Sequence, residues 1–223
     1  MDGYRYEMKY IVNKETADLL KKQLSLVMQL DKHSISKEYS YDIRSLYFDD
    51  RDSSAYYEKV DGVEFRYKYR IRIYNNSDAI IKLECKHKDA DMTYKEDCSI
   101  SKKVTNAIIA GKYNSIRTKR PFLCKFLLEA KTKRIVPSVI VDYRRTAFTY
   151  PVSEVRITFD ENIRSGRYDH NLFGEVNTLQ AVDGIVMEVK FNDFLPEHIN
   201  VIINSVVKER EAVSKFAYCR SLQ

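Results

Sequence analysis

Alternation with a period of two dominates this chain. Residues 4–12, 41–49, 64–74, 79–88, 93–101, 138–150, 153–160 and 184–193 each place apolar or aromatic side chains at every second position, with polar or charged ones between. That is the pattern of a β-strand with two unlike faces. "YNNSDA" and "YPVSE" separate two pairs of these segments as tight hairpin connections would. The period becomes helical over 14–30, where Ala17, Leu20, Leu24, Val27 and Met28 form one stripe behind Asn13 as a predicted N-cap. Further helices are expected over 102–110, stopped by Gly111, over roughly 120–133 and over 196–213. About eight strands interrupted by a few helices predict an α+β fold, in which an antiparallel β-barrel or tunnel carries helices on its outside. At 223 residues the whole chain is expected to form one domain.

The charged faces of these strands change the picture. In "FRYKYRIRIY" (65–74), Arg66, Lys68, Arg70 and Arg72 share one face, opposite Tyr67, Tyr69, Ile71 and Ile73. The same parity places Lys82, Glu84, Lys86 and Lys88 together, and Arg5, Glu7 and Lys9 together. It also groups Arg156, Thr158 and Asp160, and Glu188 with Lys190. If these rows faced water, the apolar rows would fill a barrel interior, an ordinary structural arrangement. If the apolar rows instead meet the surrounding helices, the charged rows line a lumen, where charge requires counter-charge, water or a bound anion. Amphipathic helices such as 14–30 need an apolar sheet exterior to pack on, which favours the lumen.

Composition excludes more than it assigns. Thirty-eight Lys and Arg against 32 Asp and Glu leave +6, too little to name a partner by bulk charge. Cys85, Cys98, Cys124 and Cys219 have no zinc-like spacing and read as reduced thiols. No apolar run long enough for a membrane span or a signal peptide occurs, so a cytoplasmic location is expected. The aromatic residues fall on the apolar faces, away from the cations among which bases would stack, so no nucleic-acid partner is expected. His33, His87, His170 and His198 are scattered and form no nucleophilic constellation.

"YEMKY", "SLYFDD", "RIRIY", "LECK" followed by "YKE", "YRRTAF" followed by "VRITFD", "MEVKF" and a terminal "SKF" occur in this order along the chain. Their order and spacing resemble the VTC (vacuolar transporter chaperone) polyphosphate polymerase domain, a branch of the triphosphate tunnel metalloenzymes, over roughly residues 4–220. The resemblance implies an antiparallel β-tunnel with a basic lumen and a divalent metal, Mn²⁺ or Mg²⁺. It implies transfer of the γ-phosphate of ATP onto a polyphosphate chain, with ATP and polyphosphate or another polyanion as the molecules bound. It assigns Arg70, Arg72, Lys86 and Arg156 to catalysis, and Lys9, Lys95, Arg144, Arg145 and Lys215 to phosphate binding, with Arg144 and Arg145 as alternatives at "YRRTAF"; Lys68 and Lys190, on the same charged rows, join the phosphate-binding set by parity. Glu188 is the implied principal metal ligand, with Glu84 and Glu7 as helpers or as ion-pair partners of neighbouring cations.

Two departures stand out. Arg5 occupies the place of the first acid in the Glu-x-Glu-x-Lys opening of related tunnel phosphatases, and Ala212 stands three residues before Lys215 where the polymerase pattern tends to carry a second lysine. The alternatives to a polymerase are a metal-dependent tripolyphosphatase or nucleoside-triphosphatase, or a non-catalytic polyphosphate-binding module. Without a membrane segment of its own, export of a polymer would require a membrane partner. Tyr47, Asp49 and Lys59 are candidates for the tunnel mouth, with a packed strand edge as the simpler role.

Overall fold

The computed structural model describes residues 3–34, 39–207 and 209–223. Each alternating segment forms a strand: β1 (Arg5–Val12), β3 (Tyr41–Asp49), β4 (Phe65–Tyr74), β5 (Ser77–Asp89), β6 (Met92–Ser99), β7 (Val136–Tyr150), β8 (Val155–Ser165) and β10 (Ile185–Phe191). Two short strands, β2 (Gln29–Leu30) and β9 (Leu179–Gln180), extend the edges of β7 and β8. The ring runs β7-β3-β4-β5-β6-β1-β10-β8, and pairing of β8 with β7 closes it into an eight-stranded antiparallel barrel. The β4–β5 hairpin turns on Asn75 and Asn76, both with positive φ (50° and 51°), as the "YNNSDA" stretch predicts.

The apolar rows point outward over most of the ring. Leu46, Phe48, Tyr69, Ile71, Leu83 and Cys85 pack beneath α3 (Lys102–Ile109) and α4 (Pro121–Thr132), with Phe126 at the centre. Tyr10, Phe148, Ile157, Phe159, Met187 and Val189 pack beneath α1 (Lys14–Leu24) and α5 (Glu197–Asn204). Burial of these two clusters drives the charged parity inward, and the barrel is a tunnel lined by ions.

One arc departs from that arrangement. The inward rows of β3 and β7 carry Ile43, Tyr47, Val139 and Val141, which pack with Phe216 and Cys219 of α6 (Lys215–Arg220). Thus α6 occupies one end of the lumen. A register irregularity between β7 and β8 near Asn162 (φ 54°) resets the parity of β8, so that Ile163 joins this inner cluster after Asp160 has faced the ions.

Several helix boundaries differ from expectation. The helix expected over 14–30 ends at Leu24: Asn13 caps it as predicted, but Leu26 is exposed and residues 29–30 pair with the end of β7 as a strand. The helix expected over 196–213 stops at Asn204, and residue 208 of that span lies outside the described residues. Residues 209–214 then form an irregular strap that leaves the outer surface and leads into α6. A helix not anticipated, α2 (Ser54–Val60), follows β3, and the buried Asp49 accepts hydrogen bonds from the amides of Ala55 and Tyr56 at its start. Among the described residues no helix is long and apolar enough to cross a membrane. All four cysteines are free thiols.

Candidate active site: an ion-lined tunnel

Inward parity from seven strands brings the predicted cations together in a cavity of about 880 Å³. That is within the usual range for a small-molecule site. Lys9, Lys68, Arg70, Arg72, Lys86, Lys95, Arg145, Arg156, Lys190 and Lys215 all line it, as do Glu84 and Glu188.

Four carboxylates hold these cations at close quarters. Glu84, 1% exposed, accepts from Arg70 Nε at 2.6 Å and Lys95 Nζ at 3.0 Å, with Arg72 Nη1 at 3.8 Å. Glu188 accepts from Lys215 Nζ at 2.8 Å and lies 3.1 Å from Lys190 Nζ, with Lys9 and Arg145 each at 3.9 Å. Glu7 lies 2.6 Å from Lys86 Nζ and 3.3 Å from Lys190 Nζ. Asp160 takes a two-pronged contact from Arg145 at 2.6 and 2.7 Å, and Lys215 at 2.6 Å. Arg156 pairs with Asp31, which also lines the cavity.

The electrostatics follow from this geometry. Burial opposes the charge on Glu188, but Lys190, Lys215 and Lys9 outweigh it and hold its carboxyl well below the usual range. Glu7 is lowered in the same way by Lys86, Lys9 and Lys190 against burial, and Glu84 by Arg70, Arg72 and Lys95. Burial brings Lys86 down to about 7, with Glu7 opposing the shift and Lys9 and Lys190 adding to it. Lys68 is lowered well below its usual value by burial and by Lys9, Lys86, Arg70 and Arg66. Its one hydrogen-bond partner among the described residues is the hydroxyl of Ser214, at 3.5 Å.

Two expected site residues fall elsewhere. Arg144 points outward to Asp42 at 3.1 Å and is half-exposed, so of the "YRRTAF" pair it is Arg145 that faces the tunnel. Glu7 contributes to a second, smaller cavity behind Lys9 and Lys86. Tyr47, a candidate for the tunnel mouth, is buried in the cavity wall, and Tyr41, Ser45 and Tyr143, not singled out beforehand, complete it. Arg70 donates to the Tyr47 hydroxyl at 2.9 Å, Arg72 to Tyr143 at 3.0 Å and to Ser45 at 3.1 Å, and Arg156 to Tyr41 at 3.2 Å. The signal was parity: Tyr143 shares the face of Arg145, and Tyr41, Ser45 and Tyr47 share one row. Aromatic rings therefore do stand among the cations, contrary to the sequence-based expectation. Tyr41, Tyr47 and Tyr143 are buried, and the faces of Tyr47 and Tyr143 lie against Arg70, Arg145, Lys215 and Phe216 of α6.

The donor set bears on a metal. Among the described residues no group of three or more His, Cys, Asp or Glu gathers to form a protein cage. Glu188 and Glu7 share Lys190 and Lys9 as neighbours, so the two carboxylates approach each other between movable ammonium groups where the two cavities adjoin. That set fits a hard divalent cation that shares its ligands with phosphate oxygens, the usual manner of Mg²⁺, which takes one or two carboxylates plus substrate phosphates.

The family model of the VTC domain matches residues 4–222. The chain belongs to the VTC domain family. This VTC domain shares its architecture with proteins of much lower sequence likeness. A proposed adenylyl cyclase from Hippeastrum, described as having a dominant triphosphatase activity, superposes with a TM-score of 0.58 at 15% identity, covering 99% of this chain and 96% of that one. A protein from Pyrococcus horikoshii gives 0.52 at 11%, covering 98% and 99%. A proposed adenylate cyclase from Bacillus halodurans gives 0.51 at 16%, covering 92% and 89%. At these identities the likeness establishes the triphosphate tunnel fold. No curated protein sequence matches the VTC domain described here.

Proposed function

We propose that this VTC domain is a polyphosphate polymerase that moves the γ-phosphoryl group of ATP onto a phosphate chain inside the tunnel. The observation that carries the reading is a cavity inside the closed strand ring in which Arg70, Arg72, Lys95, Arg145 and Lys215 are held by buried carboxylates. Phosphoryl transfer asks a protein mainly for positioning and charge neutralisation, and preorganised cations supply both. The bond from the γ-phosphorus to its bridging oxygen breaks, the electron pair leaves with ADP, and an oxygen of the acceptor phosphate forms the new bond. That oxygen is already ionised at neutral pH, so no side-chain base is required.

Arg70 and Arg72 present planar donors, tied to Tyr47, Ser45 and Tyr143, that suit fixed non-bridging oxygens. Lys9, Lys86, Lys190 and Lys215 are movable charges that can exchange a carboxylate for a phosphate oxygen. Glu188, with Glu7, would hold a divalent cation, whose chemistry when bound is to neutralise the phosphates and polarise the group being transferred.

A second reading, hydrolysis of triphosphate in the same tunnel, is favoured by one observation. With α6 filling one end of the lumen, a growing chain would leave by the mouth through which ATP enters. Incubation with ATP and Mn²⁺, followed by gel separation, distinguishes the two. Long polymer with ADP supports the polymerase, orthophosphate without polymer supports the hydrolase, and unchanged ATP excludes both.

A further inference from the structure

The tunnel contains a second compartment. Along β4 the main cavity runs from Lys68 through Arg70 and Arg72 to Tyr74, whereas a cavity of about 220 Å³ is lined by Arg66, Tyr67 and Lys68 at the strand's other end. Arg66 and Arg72 are six residues apart, about 20 Å along a strand, so the two spaces follow one another along the barrel. The strap of residues 209–214 lies between them. The Glu211 amide donates to the Lys9 carbonyl at 2.9 Å, Lys9 Nζ donates to the Val213 carbonyl at 2.9 Å, and Lys68 reaches Ser214.

The two compartments differ in how their charge is balanced. Among the described residues, the paired cations of the main cavity each lie within 4 Å of a carboxylate, as set out above. Behind the strap, Lys59 of α2, Arg66 and Lys68 of β4, and Lys88 of β5 converge on one small space beside the paired Lys9 and Lys86, which line both cavities as Lys68 does, and no ion pair among the described residues involves any of the four. Arg66 donates to the Val63 carbonyl. The acids that line this space are Glu7, which is already bound by Lys86 and Lys190, and the exposed Glu211; Glu58 and Asp91 act on Arg66 and Lys88 from farther away. The cations accordingly penalise one another: burial, Arg66 and Lys9 lower Lys59, and burial lowers Lys88 against the pull of Asp91. Half-buried like charges held by three separate elements are a cost to the fold that an anion among them removes.

We propose that this second cavity is a separate phosphate-binding site, which takes a compact phosphate oxyanion, one or two phosphoryl groups in size, between Lys59, Arg66, Lys68 and Lys88. Its volume is below the usual range for small-molecule sites, which excludes a nucleotide. The anion arrives either as free phosphate from solvent past the partly exposed Lys59 and Lys88, or as the end of a chain reaching past the strap from the main cavity. The site stands whichever transfer the main cavity performs.

Calorimetric titration of inorganic pyrophosphate, with chelator present and about 0.15 M salt, tests the proposal. The wild-type protein is expected to show two classes of binding. Lys59→Gln combined with Lys88→Gln weakens one class about tenfold or more, since two charge-assisted contacts are lost, and leaves the other intact. Arg70→Gln combined with Lys95→Gln does the reverse, which separates failure of this site from failure of the main one. Lys14→Gln combined with Lys22→Gln, an equal loss of charge on the exposed face of α1, changes neither class. Prior saturation with long-chain polyphosphate identifies the source: pyrophosphate still binds the second site if that site serves a free anion, and is displaced from it if it serves a chain end. A single class of binding in the wild type, or equal weakening by the α1 control, overturns the proposal.

Discussion

Glu188 meets four cations from four directions, Lys215, Lys190, Lys9 and Arg145. Its carboxylate therefore has two effects with opposite consequences for a bound anion. It would supply a ligand for a metal, and it also neutralises ammonium groups that would otherwise hold phosphate. Glu188→Gln preserves shape and removes charge, so metal-supported ATP turnover is expected to fall by about a hundredfold, the scale of losing one electrostatic contribution to a transition state. Metal-free tripolyphosphate affinity should hold or rise. Parental turnover by the variant, measured with Mn²⁺, would show that Glu188 serves only as an ion-pair partner. Lys86 gives a pH prediction of definite sign. Its native value of about 7 lies below the ordinary lysine value of 10.5. Between these limits the unfolded chain binds more protons at this position than the native one, so stability contributed here rises with pH across that window. Chemical denaturation of the wild type and of Lys86→Met from pH 6.5 to 9.5 should show the wild type gaining on the variant as pH rises. A constant difference would mean that Lys86 stays protonated in its pair with Glu7.

Among the elements, α6 is the least ordinary. It is six residues long, too short to be stable on its own, yet Phe216 is 1% exposed, packs on Tyr47 at 5.1 Å between ring centroids and lies beneath the Lys68 ammonium. Ser214 caps it by accepting from the Ala217 amide, and Lys215, its first residue, enters the ion network. Phe216→Ala is expected to cost about 3–5 kcal/mol in urea denaturation, as for other deeply buried phenylalanines, whereas the partly exposed Tyr218→Ala should cost under about 0.5 kcal/mol. Similar small losses in both would show that α6 docks loosely and that the lumen opens at that end. The eight barrel strands were legible in the sequence because alternation is a local signal, and parity put Arg70, Lys86 and Glu188 on the charged rows, while the need of the helices for an apolar sheet exterior pointed those rows inward. The helix α6 was not legible, since "SKFAYC" is too short to show a period and the inward apolar row of Ile43, Val139 and Val141 looks the same as an outward one. Nor could parity choose between Arg144 and Arg145, because the choice depends on the pairing of β7 with β3 and on the irregularity opposite Asn162. The end of α1 was missed for a related reason: the strand pairing of residues 29–30 with β7 is a long-range contact that overrides a continuing apolar stripe.

At the scale of the whole molecule, the barrel closes unevenly. Each strand of the ring pairs with its neighbours over a long register, β5 with β6 from Lys82–Ser99 to Asp89–Met92, except at one seam. There, among the described residues, the ladder between β1 and β6 comprises Arg5–Thr93 and Tyr6–Met92, where the first residues of the two strands overlap. Side chains bridge the seam as well: Glu7 reaches past β6 to Lys86 of β5, and Tyr4 packs on Tyr94 and donates to Asp89 at 3.2 Å. A sheet edge without ladder partners exposes its amides, and an ion pair is a weaker clasp than a run of backbone hydrogen bonds. The seam should therefore be the part of the ring with the lowest free energy of opening. Its two sides carry cations of the proposed site, Lys95 on β6 and Lys9 on β1, with Lys190 on β10 opposite Glu7. A phosphate chain held by both sides would bridge the seam. In native-state hydrogen exchange, the seam-facing amides of β6 and β1 are expected to exchange well before those of β3 and β7, and tripolyphosphate should slow them more than any other strand. If the seam amides are as protected as those of β3 without ligand, the ring is closed by more than its ladder, and if ligand slows β3 and β6 alike, phosphate does not span the seam.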